Sequence, residues 1–171
     1  MAGKLPQTGS PAAWEEENLS AQQSNRNAVH SKETERAWQM LFLSWVIALA
    51  STLGVLFIGE IMGQEPCVLC WYQRAFMFPL AVVLGVACYL SDPGIWRYAL
   101  PLAVFGWAVA AYHTLLVAGV IQEAPVPCGE GVSCTSADMT IFGVVPIPLL
   151  SVGAFSAIIV LLLIFRKGFK P

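Results

Sequence analysis

The chain alternates between long apolar runs and short polar connections. Four runs approach the roughly 20 residues that an α-helix needs to cross a bilayer, and they cover about residues 41–61, 67–90, 98–120 and 146–165. The second run ends in the turn-forming sequence Ser91-Asp92-Pro93-Gly94. Short connections favour antiparallel neighbours. The pattern therefore predicts an all-α membrane protein built as an antiparallel bundle of four transmembrane helices.

Polar residues are concentrated before the first apolar run. Residues 1–38 are rich in Ser, Gln, Asn and Glu and poor in branched aliphatic residues, a composition typical of disordered segments. We expect a disordered cytoplasmic tail over 1–38, with an interaction segment as the alternative. A four-helix membrane domain over 39–166 and a short cytoplasmic tail over 167–171 complete the predicted organisation. The first apolar run is too long, and begins too far along the chain, for a cleaved signal peptide.

Composition supports a membrane protein and disfavours other classes. Hydrophobic residues make up 57% of the 171 residues and charged residues 12%, against roughly 45–50% and about 25% in soluble proteins. The formal net charge is −2 and no basic patch is present, so nucleic-acid binding is not expected. The partner of this apolar surface is the lipid bilayer.

The distribution of Lys and Arg predicts the orientation in the membrane. Connections 62–66 and 121–145 contain no basic residue. Eight basic residues lie in the tails or in the connection after the second run, namely Lys4, Arg26, Lys32, Arg36, Arg97, Arg166, Lys167 and Lys170. We therefore expect both termini to be cytoplasmic and connections 62–66 and 121–145 to be extracytoplasmic.

Four of the five cysteines lie at the predicted outer side. Cys67 and Cys70 form a Cys-x-x-Cys at the start of the second span, and Cys128 and Cys134 share the longer outer connection. That compartment permits disulfides, so two structural disulfides, one four-thiolate site for a soft metal such as Zn or Cu(I), or redox chemistry are all open. A disulfide between adjacent turns of one helix constrains little, which favours reactive chemistry at the first pair. Cys88 is expected to be a packing residue.

The local setting favours a reactive dithiol at the first pair. Pro66 suits the first position of a helix, which would place Cys67 and Cys70 in the first turn of the second span. Unpaired backbone N–H groups and the positive end of the helix dipole stabilise a thiolate there. Helical spacing puts Trp71 on the same stripe and Arg74 about 6 Å below Cys70.

Two polar residues inside the spans are further candidates. An arginine within a span is costly and is a functional candidate by default, although Arg74 could instead snorkel to the outer headgroups. His113 lies in the outer half of the third span and could be a packing residue instead of a functional one. A permanent cation beside the thiols disfavours a bound metal ion, so no metal is expected.

The stretch Cys67-Val68-Leu69-Cys70-Trp71-Tyr72-Gln73-Arg74, the four spans and the second cysteine pair together resemble the DsbB family of disulfide-bond-forming membrane oxidoreductases. The short stretch from Cys128 to Cys134, followed by Thr135, is similar to that of its BdbC-type branch, as is Pro146-Ile147-Pro148 at the start of the last span. The resemblance covers about residues 38–165. The long N-terminal tail and the short second cysteine loop depart from the best-known members.

The resemblance implies a quinone-dependent oxidoreductase of the bacterial cell membrane. It would reoxidise an extracytoplasmic, DsbA-like thioredoxin-fold oxidase and pass the electrons to ubiquinone or menaquinone, supporting disulfide formation in secreted proteins. By resemblance, Cys128 forms the mixed disulfide with the partner, and Cys134 completes this loop pair. Cys67 links the loop pair to the inner pair, which consists of Cys67 and Cys70.

The quinone site that the resemblance implies lies at the inner pair. Cys70 would face the quinone beside Arg74, and His113 and Trp71 are further candidates for quinone binding. The alternative is a non-enzymatic membrane protein with a four-thiolate soft-metal site or two structural disulfides.

Overall fold

Four long helices dominate the fold. A computed structural model describes residues 11–63, 66–121, 140–141 and 145–168. Each of the four helices is long and apolar enough to cross a membrane, which confirms the predicted class. The elements in chain order are α1 (Pro11–Leu56), a π-helical turn (Phe57–Ile61), α2 (Val68–Leu90), α3 (Trp96–Val117), the two-residue antiparallel strands β1 (Thr140–Ile141) and β2 (Val145–Pro146), and α4 (Ile147–Gly168).

The helices pack in a closed ring. Each helix contacts the next along the chain, and α4 returns to contact α1. Glycines permit close approach at two points, because the backbone of Gly85 lies against the Trp45 indole and that of Gly106 against the Phe155 ring. The core draws on all four helices and includes Leu41, Leu80, Leu84, Ala103, Phe155, Ile158 and Leu162.

The bounds of the last three helices follow the hydropathy pattern closely. Runs 67–90, 98–120 and 146–165 become α2, α3 and α4 with shifts of three residues or fewer at each end. The helices continue through Pro79 in α2 and Pro101 in α3. The outer connection between α3 and α4, with Cys128 and Cys134, lies outside the described residues.

The structure differs from the sequence-based expectation over residues 11–38. The composition of this stretch predicts disorder, but it forms the first half of α1. The chain has no Pro or Gly between Pro11 and Gly54, and extending an existing helix avoids the cost of nucleating a new one. The exposed side chains from Trp14 to Glu33 show that this part of α1 is not held by core packing.

One end of the bundle collects basic side chains. Arg97 and Arg166 both place their guanidinium groups over the ring of Trp96, at 5.6 and 4.4 Å from its centroid. Arg36 and Lys167 border a shared surface depression where α1 meets the end of α4. This end lies opposite Cys67 and Cys70 along α2.

The orientation leads to a labelling prediction. After reduction in whole cells, a membrane-impermeant thiol reagent is expected to modify Cys128, because the connection that carries it lacks basic residues. Mass spectrometry of the purified protein measures the modification, and Cys88, towards the other end of α2, should react only after permeabilisation. Labelling of Cys128 that also required permeabilisation would reverse the predicted topology.

Candidate functional site

The inner cysteine pair lies at the start of α2. The helix begins at Val68, and Cys67 is its N-cap residue with extended backbone angles, so Cys67 lies just before the first turn and Pro66 precedes the cap. The carbonyl of Cys67 accepts the first helical hydrogen bond, from the N–H of Trp71 at 3.1 Å. Cys70 is the third helical residue, and its Sγ lies 3.2 Å from that of Cys67. The two sulfurs are therefore in contact, as an exchange of disulfide and dithiol states requires.

His113 joins this pair from α3. Its Nε2 lies 3.8 Å from the Cys67 sulfur, and its Nδ1 lies 2.9 Å from the side-chain Nε2 of Gln73. His113 is fully buried and Gln73 is 7% exposed. Cys67 is 2% exposed and packs against Leu116, one turn beyond His113 on α3. A polar cluster is thus enclosed between α2 and α3.

Arg74 points the other way, towards α1. Its guanidinium donates a hydrogen bond from Nη2 to the carbonyl of Val55 at 3.1 Å and lies directly over the backbone of Gly59. Gly59 belongs to the π-helical turn that ends the first span, and such turns are frequent at functional sites. These contacts hold the cation between two helices.

A cavity of about 440 Å³ lies beside this arginine. Among the described residues, its walls come from α1, the π-helical turn, α2 and α4 and from Pro66. Cys70 and Arg74 both line it, together with Gln73. The remaining lining is mostly aliphatic or aromatic and includes Val55, Ile58, Met77, Ile147, Leu150 and Phe155.

The described site residues lie in two adjoining clusters. Cys70 and Arg74 both line the cavity, whereas Cys67 and His113 meet at the α2–α3 contact and are not among its lining residues. Trp71 is 58% exposed, and its ring stacks under the Arg74 guanidinium at 5.3 Å. The loop cysteines lie outside the described residues, so their roles stay predictions.

The inner pair also bears on the metal alternative. Ligand atoms of Cys67, Cys70 and His113 lie within 4.8 Å of one another, which adds a histidine that the loops did not offer. A metal-binding histidine normally donates its second ring N–H to an acceptor. Here the Gln73 amide nitrogen faces Nδ1, so the proton of the neutral ring is on Nε2, the nitrogen that faces the sulfur. For Nε2 to bind a metal beside the thiols, the Gln73 amide would have to turn its oxygen towards Nδ1.

Gly59 was not anticipated from the sequence, and it provides a prediction. A Cβ added at this position would lie 3.0 Å from Arg74 Nη2, so Gly59→Ala is expected to displace the guanidinium while leaving the fold intact. Gly153→Ala in α4 is the matched control, because a Cβ added there meets open space and Gly153 does not line the cavity. If the cavity beside Arg74 binds a quinone, as the resemblance implies, the KM for quinone, measured in detergent, should rise for Gly59→Ala more than for Gly153→Ala, and equal values would contradict this role.

Comparisons with known proteins identify the family of this chain. The family model named "Disulfide bond formation protein DsbB" matches residues 35–165. The chain is 58% identical over 135 residues to a "Probable disulfide formation protein" of Metapseudomonas resinovorans, covering 78% of this chain and 94% of the relative. It is 37% identical over 131 residues to "Disulfide bond formation protein C" of Bacillus subtilis (strain 168), covering 74% and 91%.

A third relative is a "Probable disulfide formation protein" of Deinococcus radiodurans, to which the chain is 39% identical over 130 residues. The match covers 71% of this chain and 85% of the relative. No solved structure matches the chain significantly. The family match covers all four spans and both cysteine pairs. The chain therefore belongs to the DsbB family of disulfide bond formation proteins and is a multi-pass bacterial membrane protein.

Proposed function

We propose that this protein reoxidises an extracytoplasmic DsbA-like thioredoxin-fold oxidase and passes two electrons to a membrane quinone. The observation that carries the proposal is the presence of Cys70 and Arg74 in the wall of one largely apolar cavity. A sulfur that belongs to a contacting thiol pair and a fixed cation are thereby presented to the same small space.

The cavity suits a quinone ring in size and chemistry. Small-molecule sites are usually pockets of roughly 300–1,000 Å³ with apolar walls and a few placed polar groups. This one, at about 440 Å³, combines largely apolar walls with Arg74, Gln73 and Ser51, whose side chains carry donors for hydrogen bonds to ring carbonyls. A bound quinone would supply an acceptor for two electrons and two protons. Arg74 would hold it next to the Cys70 sulfur.

Two thiol pairs meet a physical constraint on this reaction. A soluble dithiol partner cannot enter the bilayer and a lipid-soluble quinone cannot leave it, so an exposed pair must exchange with a pair at the membrane surface. In each exchange one S–S bond breaks and another forms, and two electrons move from the dithiol to the disulfide. We assign the exposed pair to Cys128 and Cys134, and the pair at the membrane surface to the inner pair, Cys67 and Cys70.

Arg74 contributes charge stabilisation at the inner pair. A permanent cation favours a thiolate and a developing oxyanion, and it does so more strongly where water is excluded. The hydrogen bond to Val55 and the contact with Gly59 fix the guanidinium before any ligand arrives. The arginine therefore needs no rearrangement to act.

An anaerobic assay with purified protein tests the proposal. The reduced DsbA-like partner is added to protein with ubiquinone or menaquinone in parallel, and quinol formation and partner oxidation are both followed. We expect one quinol for each partner disulfide formed, and no quinol without the partner. Absence of quinol with either quinone, while the partner stays reduced, would refute the proposal.

The metal alternative predicts a different result. If the outer thiols served as a soft-metal site, the purified reduced protein would retain Zn or Cu in stoichiometric amount by elemental analysis, and Cys128 would not be trapped in a mixed disulfide with a soluble oxidase. Trapping of Cys128 without bound metal supports the redox function.

A further inference from the structure

We propose that Gln73 and His113 form a buried pair that serves Cys67, with the imidazole N–H directed at the Cys67 sulfur to stabilise it as a leaving thiolate. This inference rests on the proposed function and gives His113 a role away from the quinone cavity. Gln73 acts as a positioning residue, because it touches His113 and not the Cys67 sulfur.

The contacts define a direction for the hydrogen bonds. The amide nitrogen of Gln73 lies 2.9 Å from Nδ1 of His113, and an amide NH₂ group only donates. Nδ1 is therefore the acceptor, and the proton of the neutral imidazole is on Nε2. Nε2 lies 3.8 Å from the Cys67 sulfur, within the longer range of hydrogen bonds to sulfur.

The surroundings of Cys67 explain the need for such a donor. Among the described residues, Cys67 is buried and packs against Leu116, Leu69 and Cys70, and hydrogen-bond donors stabilise an anion in such a largely apolar setting. Of the titratable side chains that the structure describes, those gathered at His113 are Cys67 and Cys70, and Arg74 is directed at α1. Within the part of the chain that the structure describes, α3 adds no other Asp, Glu, Cys or His to this cluster.

The Gln73–His113 pair acts in the transfer of electrons from the loop pair to the inner pair. A loop thiolate attacks the Cys67 sulfur of the Cys67–Cys70 disulfide, so the bond between the inner cysteines breaks and Cys70 leaves as a thiolate. The other loop thiolate then attacks the loop sulfur of this mixed disulfide. The loop disulfide forms, and Cys67 leaves with the electron pair. The inner pair gains two electrons and the loop pair loses two.

In this scheme different groups stabilise the thiolates of the two inner cysteines. Cys70 lines the cavity that Arg74 also lines, whereas Cys67 is served by the imidazole N–H from α3. Removing the His113 donor should therefore destabilise the reduced inner pair relative to its disulfide.

The redox equilibrium of the inner pair tests this without quinone or partner. Full-length protein with Cys128→Ala and Cys134→Ala is equilibrated with dithiothreitol buffers, and the thiols of Cys67 and Cys70 are trapped and quantified by mass spectrometry. Hydrogen bonds to charged groups are strong enough that His113→Phe should shift the equilibrium towards the disulfide by about ten-fold or more. Gln73→Met should shift it in the same direction by a smaller factor.

Two further measurements distinguish an effect of the imidazole hydrogen bond from an effect of altered packing around Cys67. Leu116→Met alters the same enclosure but removes no donor, and its equilibrium should match that of the parent protein. Nitrogen-15 NMR of labelled His113 should show a protonated Nε2 in the parent and a mixture of tautomers in Gln73→Met. A parent protein with the proton on Nδ1 would overturn the proposal.

The outcomes distinguish this inference from the proposed function. If the inner pair forms a disulfide and His113→Phe leaves the equilibrium unchanged, the inference fails and the proposed function stands. If Cys67 and Cys70 form no disulfide in any buffer, both fail.

Discussion

Replacing Cys70 by serine is expected to abolish quinone reduction while leaving the loop pair able to react with the partner oxidase. Cys70 is the cysteine of the inner pair that lines the cavity, and a hydroxyl cannot form the inner disulfide. Turnover is measured as anaerobic quinol formation, and trapping of Cys128 as a mixed disulfide on a non-reducing gel. Cys67→Ser is expected to give the same result.

Cys88→Ser is the matched control for this experiment. It removes a cysteine from the same helix, where Cys88 packs at the edge of the core, and turnover should be unchanged. Cys128→Ser or Cys134→Ser should instead stop electron entry from the partner. Full turnover in Cys70→Ser would falsify the assignment of quinone chemistry to the inner pair.

The second large effect is expected at Arg74. Arg74→Ala should raise the KM for quinone with a smaller change in the KM for the reduced partner, because the guanidinium lines the cavity. Loss of a hydrogen bond to a charged group costs about 1.5–3 kcal/mol, or roughly ten- to a hundred-fold in affinity. Lysine should restore part of the loss, since it keeps the charge but lacks the planar array of donors.

Arg97→Ala provides the control. Arg97 also stacks on a tryptophan, Trp96, but it lies at the opposite end of the bundle from the cavity, so quinone kinetics should not change. A loss of membrane insertion or yield in Arg74→Ala, with normal quinone kinetics, would identify Arg74 as an interfacial anchor.

Much of the fold could be predicted because lipid imposes strong constraints on sequence. A span must satisfy its backbone hydrogen bonds internally and present apolar side chains to lipid, so hydropathy alone located α2, α3 and α4. The N-terminal half of α1 is under no such constraint. Its polar composition is typical of a disordered segment, whereas the lack of Pro and Gly between Pro11 and Gly54 favours a helix. Composition alone does not decide which of these two tendencies prevails.

The candidate site was predictable where it depends on one helix. Cys70 and Arg74 are four residues apart, and helix geometry places them on the same face, as the cavity lining confirms. Gln73 and Gly59 were missed because their roles depend on contacts between helices. A signal for Gln73 was present, since polar side chains inside spans usually hydrogen-bond to one another, and Gln73 and His113 both lie in the halves of their spans that are nearer Cys67. Gly59 depends on the π-helical turn, which has no evident sequence signature.

The two inner sulfurs lie 3.2 Å apart but have different neighbours, and this difference has a kinetic consequence. A molecule in the cavity would touch Cys70, whereas Cys67 is not among the described lining residues and contacts His113 of α3. Occupancy of the cavity and exchange with the loop pair thus need not exclude each other sterically. We expect the two substrates to bind at the same time, so initial rates plotted in double-reciprocal form against both concentrations should give intersecting lines instead of parallel ones.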